Sequence, residues 1–170
     1  MIATSTRLGP SIGQQIGALL GFLALSLAVS ALGGALTAQS IATWYPTLAK
    51  PSFNPPDWLF APVWSLLYLM MAVAAWRVWR VWRVAGWRKG GQSLSLYIFQ
   101  LIVNLAWSAL FFGLQRPDLA LIDCLLLLVL IAFTALSFWR HDNWAALLMV
   151  PYAAWVAFAA LLNSAIVVLN

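Results

Sequence analysis

Five long stretches of almost uninterrupted apolar residues divide the chain, and short polar or proline-rich segments separate them. The stretches cover residues about 12–38, 57–82, 93–113, 118–139 and 144–169. Each is close to the ~20 residues that an α-helix needs to cross the ~30 Å hydrocarbon core of a bilayer. Gly86, Gly90 and Gly91 predict a break before the third stretch. The pattern therefore predicts five transmembrane helices in one domain that covers residues 1–170.

The amino-acid composition points to the same class of protein. Of the 170 residues, 64% are hydrophobic and only 8% are charged, whereas a soluble domain carries about 25% charged residues. So few polar side chains cannot cover a water-soluble globule, and the surroundings must be mostly lipid. The predicted fold class is therefore all-α, an integral membrane bundle of five transmembrane helices.

The first stretch has two further interpretations to settle. A signal peptide would also follow a basic residue such as Arg7, but its apolar core is only ~7–15 residues long, and this run is longer. Within the run, Gly13, Gly17 and Gly21 recur every four residues. Small residues at this spacing let helices approach closely, either within the chain or between two copies in a homodimer.

Basic residues predict the orientation in the membrane. Seven of the nine Lys and Arg residues lie in the N-terminal tail, the second loop and the fourth loop, whereas only Lys50 and Arg116 lie on the other side. Because cytoplasmic loops carry an excess of Lys and Arg, the N-terminus should face the cytoplasm and the C-terminus the outside.

Arginine and tryptophan alternate where the second stretch ends, at Arg77, Arg80 and Arg83. Basic residues interleaved with aromatic ones occur in nucleic-acid-binding proteins. Directly after a membrane span, however, they favour anchoring of the helix end in lipid headgroups. We therefore predict membrane lipid as the partner of this segment, and no nucleic acid.

The segment Trp44–Tyr68 differs from an ordinary connector. It contains Pro46, Pro51, Pro55 and Pro56 and leads directly into an aromatic helix. Connections between membrane spans are usually short polar turns. We predict that this proline-rich loop is a lid over a site built from helices.

Polar and aromatic residues share one face in each of three predicted helices, at steps of three and four residues. These faces carry the candidate ligand-binding residues Trp64 and Tyr68 in the second helix, Gln100, Asn104 and Trp107 in the third, and Tyr152, Trp155 and Ala159 in the fifth. Such residues often serve only to join helices. Three matching faces favour a pocket for a large, flat, mainly apolar ligand with a few polar edges.

Several kinds of chemistry lack the residues they need. The sequence has one histidine, His141, and no glutamate, so we predict neither a metal site nor an obligatory cofactor. No Ser/His/Asp grouping, phosphate-binding loop or pair of carboxylates appears, which argues against hydrolysis and phosphoryl transfer. These observations favour binding over catalysis.

Three motifs together resemble a known family. They are W-Y-x-x-L-x-K-P-S-F-N-P-P-x-W-x-F-x-P-V-W-x-x-L-Y from Trp44, Q-x-x-x-N-x-x-W-S-x-x-F-F from Gln100, and P-Y-x-x-W-x-x-F-A-x-x-L-N from Pro151. They are similar to the TspO family of tryptophan-rich sensory proteins, which includes the mitochondrial translocator proteins. One departure is Phe53, where the family commonly has tryptophan.

The resemblance implies a dimeric five-helix bundle, here a multi-pass protein of a bacterial cell envelope. It implies binding of porphyrins such as protoporphyrin IX, and also of sterols and of isoquinoline carboxamide or benzodiazepine drugs. By motif position, Trp64, Asn104, Trp107, Trp155 and Ala159 match pocket positions. The sterol motif of animal members is absent, because no Lys or Arg follows Arg140.

Three hypotheses about function follow. The first is a membrane receptor or carrier for tetrapyrroles, in porphyrin homeostasis or stress signalling. The second is an enzyme that degrades bound porphyrin under light, with Trp64 and Trp155 as the candidate catalytic residues. The third is a structural membrane scaffold whose polar faces only pack helices together.

Overall fold

The computed structural model describes residues 9–85 and 87–170. The predictions that rest on Arg7 and on the side chains of Arg88 and Lys89 lie outside this part. The described residues form five long helices: α1 (Ile12–Ile41), α2 (Phe60–Ala85), α3 (Trp87–Ser108), α4 (Pro117–Trp139) and α5 (Asn143–Leu169). All five are long and apolar enough to cross a membrane. This confirms the predicted all-α class with five spans.

Three shorter elements surround the ends of these helices. The proline-rich loop contains two 3₁₀ turns, Tyr45–Thr47 and Asp57–Leu59, and the second of them leads directly into α2. α3 is followed directly by a π-helical turn, Ala109–Gly113. This turn lies at the end of the bundle opposite the α2–α3 junction. Such turns are frequent at functional sites, and this one places two phenylalanines inside the bundle.

Some helix ends differ from the prediction. α1 continues past residue 38 to Ile41, and α3 begins at Trp87 instead of residue 93. The part of the predicted break that falls on Gly90 and Gly91 is therefore wrong, since both residues lie inside α3. Gly86, where the same break was predicted, lies outside the described residues. A glycine costs a helix only about 1 kcal/mol relative to alanine. The packing of the next turn, where Ser93 and Leu94 are buried, offsets this cost.

Local sequence explains where two helices start. The Ser11 hydroxyl accepts from the Gln14 backbone N–H at 3.3 Å, and the Gln14 side chain accepts in return from the Ser11 N–H, which forms a capping box for α1. The Asp142 carboxylate accepts from the Ala145 N–H at 3.0 Å and caps α5 through this single hydrogen bond.

The helices form a closed ring in the order α1–α2–α5–α4–α3, with α2 also in contact with α3 across the bundle. The main core lies between α2, α3, α4 and α5, and its fully buried side chains include Met71, Tyr97, Ile131 and Met149. A second, mostly aromatic core lies under the proline-rich loop, which we call the lid (residues 44–56). The site lies between these two cores.

The glycine stripe of α1 faces away from the other helices that the structure describes. A Cβ built at Gly13, Gly17 or Gly21 would meet no atom of the described structure within 4 Å. α1 instead packs through another face, where the Ser26 and Tyr97 hydroxyls lie 2.7 Å apart. Packing of these glycines within the chain is therefore wrong as an explanation. Their role in a homodimer stays a prediction.

The Arg/Trp segment at the end of α2 makes contacts within the protein. The Arg77 guanidinium pairs with the Asp142 carboxylate at 2.9 Å, so this arginine joins α2 to the start of α5 instead of reaching only for lipid. Arg80 lies over the Trp76 ring at 4.9 Å, and the Trp76 indole donates to the Gln15 carbonyl of α1. Arg80 and Arg83 are exposed, and their contact with headgroups stays a prediction.

Candidate functional site

A cavity of about 460 Å³ lies in the half of the bundle nearest the lid. This volume falls within the range of roughly 300–1,000 Å³ that is typical of small-molecule pockets. All five helices contribute to its walls, and Tyr45 of the lid closes part of its upper end. Residues from all three predicted polar faces line this cavity, so it is the candidate ligand site.

Aromatic rings form the side walls of the cavity. On α2, the Trp64 and Tyr68 rings lie 5.7 Å apart between centroids and are inclined by 35°. On α3, Trp107 stacks on Phe111 at 5.1 Å and 20°. On α5, Trp155 meets Phe60 edge-on at 5.8 Å. Flat rings presented from three helices suit a flat, apolar ligand.

A chain of hydrogen bonds crosses the bundle beside these rings. The Tyr68 hydroxyl donates to the Asn104 side-chain oxygen, and the Asn104 nitrogen donates to the Tyr152 hydroxyl at 3.1 Å. Tyr152 in turn donates to the Gln100 oxygen at 2.9 Å. All four side chains are buried. Because polar groups in a membrane interior need partners, this chain fixes the Asn104 amide at the cavity wall.

The predicted site residues divide into two groups. Six line the cavity: Trp64, Tyr68, Asn104, Trp107, Trp155 and Ala159. Gln100 and Tyr152 do not line it and lie behind Asn104 in the hydrogen-bond chain. Gln100 also approaches the Met71 sulfur at 3.6 Å. The structure thus brings all eight side chains together, while their part in ligand binding stays a prediction.

Helix α1 supplies one wall that the sequence did not reveal. Its contribution consists of mostly small residues, namely Ser30, Gly33, Gly34, Thr37, Ala38 and Ile41. None of these carries the aromatic ring or amide that singled out the other three helices. The only available signal was their spacing of three and four residues, which any helix with small side chains can show.

Asn163 follows Ala159 by one turn and lies at the edge of the cavity. Its amide is used for packing. In the orientation that satisfies both groups, its nitrogen lies 3.1 Å from the Pro117 carbonyl oxygen and its oxygen 2.9 Å from the Leu121 nitrogen. Asn163 therefore joins α5 to the first turn of α4.

The lid is fastened over the cavity by several contacts. The Tyr45 hydroxyl donates to the Asn54 side-chain oxygen at 3.2 Å, and the Lys50 ammonium lies 4.4 Å above the Tyr45 ring. Burial raises the pKa of Tyr45, the nearby charge of Asp57 adds to this, and the hydrogen bond with Asn54 opposes it. Tyr45 therefore remains a neutral hydrogen-bond donor at physiological pH.

One polar group in the cavity wall has no partner. The indole N–H of Trp107 is buried and has no acceptor among the described residues. An unpaired buried donor costs about 1–3 kcal/mol. Within residues 9–85 and 87–170, no three His, Cys or Asp side chains come close enough to hold a metal ion. The site thus offers rings, an amide and a free indole donor.

Comparison with known proteins shows which family has a similar sequence. The model of the TspO/MBR family matches residues 22–169. The tryptophan-rich protein TspO of Chlorobaculum tepidum is 44% identical over 161 residues, which cover 94% of this chain and 99% of that protein. The tryptophan-rich sensory protein of Cereibacter sphaeroides is 38% identical, with 85% of each chain covered. The human translocator protein is 39% identical over 71% of this chain and 70% of its own.

The residues that the family model matches include all three motifs that carried the resemblance, from Trp44 to Asn163. The matches agree with the five apolar helices and their order in the structure. The chain therefore belongs to the TspO/MBR family of multi-pass integral membrane proteins, and this membership supports a general role as a membrane receptor or carrier.

Proposed function

We propose that the protein binds porphyrins, with protoporphyrin IX as the representative ligand, and acts as a membrane receptor or carrier for tetrapyrroles. The observation that carries this proposal is the convergence of Trp64, Asn104, Trp107 and Trp155 on one cavity beneath the lid. A macrocycle of this class is flat and apolar over most of its area and polar at its edge. The chemistry of the cavity is complementary to such a ligand, because aromatic rings form its walls and few polar groups line it.

The energetics also favour such a ligand. Stacked aromatic pairs contribute about 0.5–1.5 kcal/mol each beyond the apolar area they bury. Trp64, Trp107 and Trp155 can supply such contacts without rearranging the polar chain, because Asn104 is already held by Tyr68 and Tyr152. A hydrogen-bond acceptor on the ligand would also satisfy the Trp107 indole after a small shift of the ring. The same walls would accept other flat, apolar molecules, including the drug-like and sterol ligands.

The test is an equilibrium titration with protoporphyrin IX, followed by the porphyrin's own absorption so that the tryptophan substitutions do not alter the signal. Trp64→Ala and Trp155→Ala each remove one ring from the wall, and we expect each to weaken binding about tenfold, which corresponds to ~1.4 kcal/mol. Trp58→Ala is the control, since Trp58 is 72% exposed and does not line the cavity.

Saturable binding by the unaltered protein and by Trp58→Ala, with weaker binding by the two cavity variants, supports the proposal. Porphyrin uptake that never saturates, or that all four proteins show equally, overturns it. Thermal unfolding of each variant without ligand separates a lost contact from a misfolded bundle.

A further inference from the structure

We infer that the ligand enters the cavity sideways from the bilayer, through a gap between the lid-side halves of α1 and α2. This inference rests on the proposed function and adds the route by which the same site is filled. It makes the small residues that border the gap, chiefly Gly34, Ala38 and Ala61, determinants of which molecules can enter.

The first observation is that several lining residues on these two helices are small or apolar and are also exposed. Gly34, Ala38 and Ile41 lie on one face of α1, and Ala61 and Ser65 lie one turn apart on α2; all five line the cavity, and all five are exposed. We take the residues that have both properties as the border of an opening. Gly34 to Ile41 covers about 10 Å of helix at 1.5 Å per residue, so the opening extends well below the lid into the apolar span.

The packing of α1 explains why the gap lies there. Near its start, α1 is held against α2, where the Trp76 indole donates to the Gln15 carbonyl at 2.9 Å. Near its end it is held against the end of α3 instead. There the Ser40 hydroxyl donates to the Phe112 carbonyl at 2.6 Å, and a Cβ on Gly33 would lie only 3.3 Å from the Ser108 oxygen. α1 therefore leaves α2 as it approaches the lid.

The second observation is that the lid is tied to α5. The Asn170 side chain accepts from the Ala49 N–H at 3.0 Å and donates to the Ala49 carbonyl at 3.1 Å. The Phe53 ring packs against Phe158 of α5 at 6.4 Å. Entry from the water phase would have to break these contacts, whereas entry between α1 and α2 breaks none of them.

The chemistry of the gap indicates the class of molecule that can pass. Below its lid end the border of the gap is uncharged. Two hydroxyls there are already satisfied within their own helices, since Ser65 donates to the Ala61 carbonyl and Thr37 to the Gly33 carbonyl, each at 2.8 Å. An apolar ring can therefore slide past without leaving a polar group unpaired. Asp57, the one charged lining residue that the structure describes, marks the lid end of the gap. The route selects flat molecules that dissolve in lipid and carry their polar groups at one edge.

The test measures two rates in phosphatidylcholine vesicles that contain both the protein and dissolved protoporphyrin IX. They are the rate at which the porphyrin binds to the protein and the rate at which it dissociates. Ala38→Phe and Ala61→Phe narrow the gap, and Ala38→Leu and Ala61→Leu provide smaller steps should a phenylalanine disturb folding. The matched control is Ala35→Phe, because Ala35 is exposed on α1 but does not line the cavity. One further protein, with Phe53→Cys and Phe158→Cys joined by a short dithiol-reactive linker, keeps the lid closed; the native Cys124 is buried.

We expect the gap variants to slow association and dissociation together, by about tenfold or more, because a gating barrier changes rates without changing the bound state. The control and the linked lid should bind at the unaltered rate. Gap variants that bind at the unaltered rate, or a linked lid that slows binding, overturn the inference while saturable binding preserves the proposed function. Uptake that never saturates in the unaltered protein overturns both.

Discussion

The side-chain nitrogen of Asn104 on α3 lies 3.1 Å from the hydroxyl of Tyr152 on α5, and its side-chain oxygen accepts from Tyr68 on α2. One amide thus joins three helices at the level of the cavity. Asn104 lines the cavity, whereas Tyr152 lies behind it. The same residue therefore contributes to stability and, under the proposed function, to the ligand contact.

Replacement of Asn104 separates these two contributions. Asn104→Ala leaves the buried Tyr68 hydroxyl without an acceptor and removes the donor to Tyr152, which keeps its bond to Gln100. We expect a loss of about 1–3 kcal/mol in the free energy of unfolding. Gln100→Ala is the matched control, because it removes the acceptor of Tyr152 from a position outside the cavity. Both variants should unfold at lower temperature, but only Asn104→Ala should also weaken protoporphyrin IX binding by the protein that remains folded. Equal affinities for the two variants would favour the structural scaffold.

Acid should loosen the junction between α2 and α5. Burial alone would raise the pKa of Asp142, but hydrogen bonds from the Arg77 guanidinium and the Ala145 N–H outweigh it and hold that pKa below its ordinary value of 3.8. A carboxylate whose pKa is lowered by folding stabilises the protein above its unfolded pKa, and this contribution is lost as the pH falls through the folded pKa. The contribution of this pair to the thermal midpoint should therefore be complete above about pH 4 and should decline as the pH falls below that value.

Two variants of Asp142 check that prediction. Asp142→Asn keeps a side chain that caps α5 but removes the charge, so its thermal midpoint should lose the pH dependence that this pair contributes. Asp142→Ala removes the cap as well and should cost about 1–2 kcal/mol at pH 7, since a helix cap contributes ~1 kcal/mol and a partly exposed ion pair up to ~1 kcal/mol. The prediction is wrong if Asp142→Asn and the unaltered protein respond identically to acid.

The tie between the lid and α5 gives a third prediction. Asn170→Ala removes both hydrogen bonds to Ala49 while leaving the cavity walls intact. Each such bond contributes about 0.5–1.5 kcal/mol, so the two together contribute about 1–3 kcal/mol. Amide hydrogen exchange in the lid should therefore accelerate by roughly five- to 150-fold. Exchange in α4, which this change does not touch, serves as the internal reference. An unchanged exchange rate in the lid would mean that the contacts of Phe53 and Tyr45 hold the lid in place without Asn170.

The sequence was sufficient for the five helices, because a bilayer-length apolar run leaves few alternatives. It also located the polar faces of α2, α3 and α5, since Trp64, Asn104 and Trp155 carry groups that a lipid-facing surface would not hold. It failed where glycine was decisive. Gly90 and Gly91 lie inside α3, and the Gly13 stripe faces outward, because packing around a residue without a side chain depends on its neighbours.

Contacts between distant parts of the chain also could not be predicted from the sequence. Arg77 and Asp142 are far apart in the chain, and only the ring order of the helices brings them to 2.9 Å. The cavity wall that Gly34 and Ala38 provide on α1 likewise depends on how the helices are arranged. A small side chain borders a cavity only if the helices around it diverge, and no local pattern encodes that divergence.

The most direct test of the central claim fills the cavity from within. Ala159 lines the cavity on α5, whereas Ala157 on the same helix is exposed and does not line it. Titration of both phenylalanine variants with protoporphyrin IX in one membrane preparation should show saturable binding lost in Ala159→Phe and unchanged in Ala157→Phe, with both proteins folded. Unaltered binding by a folded Ala159→Phe would show that the porphyrin does not occupy this cavity.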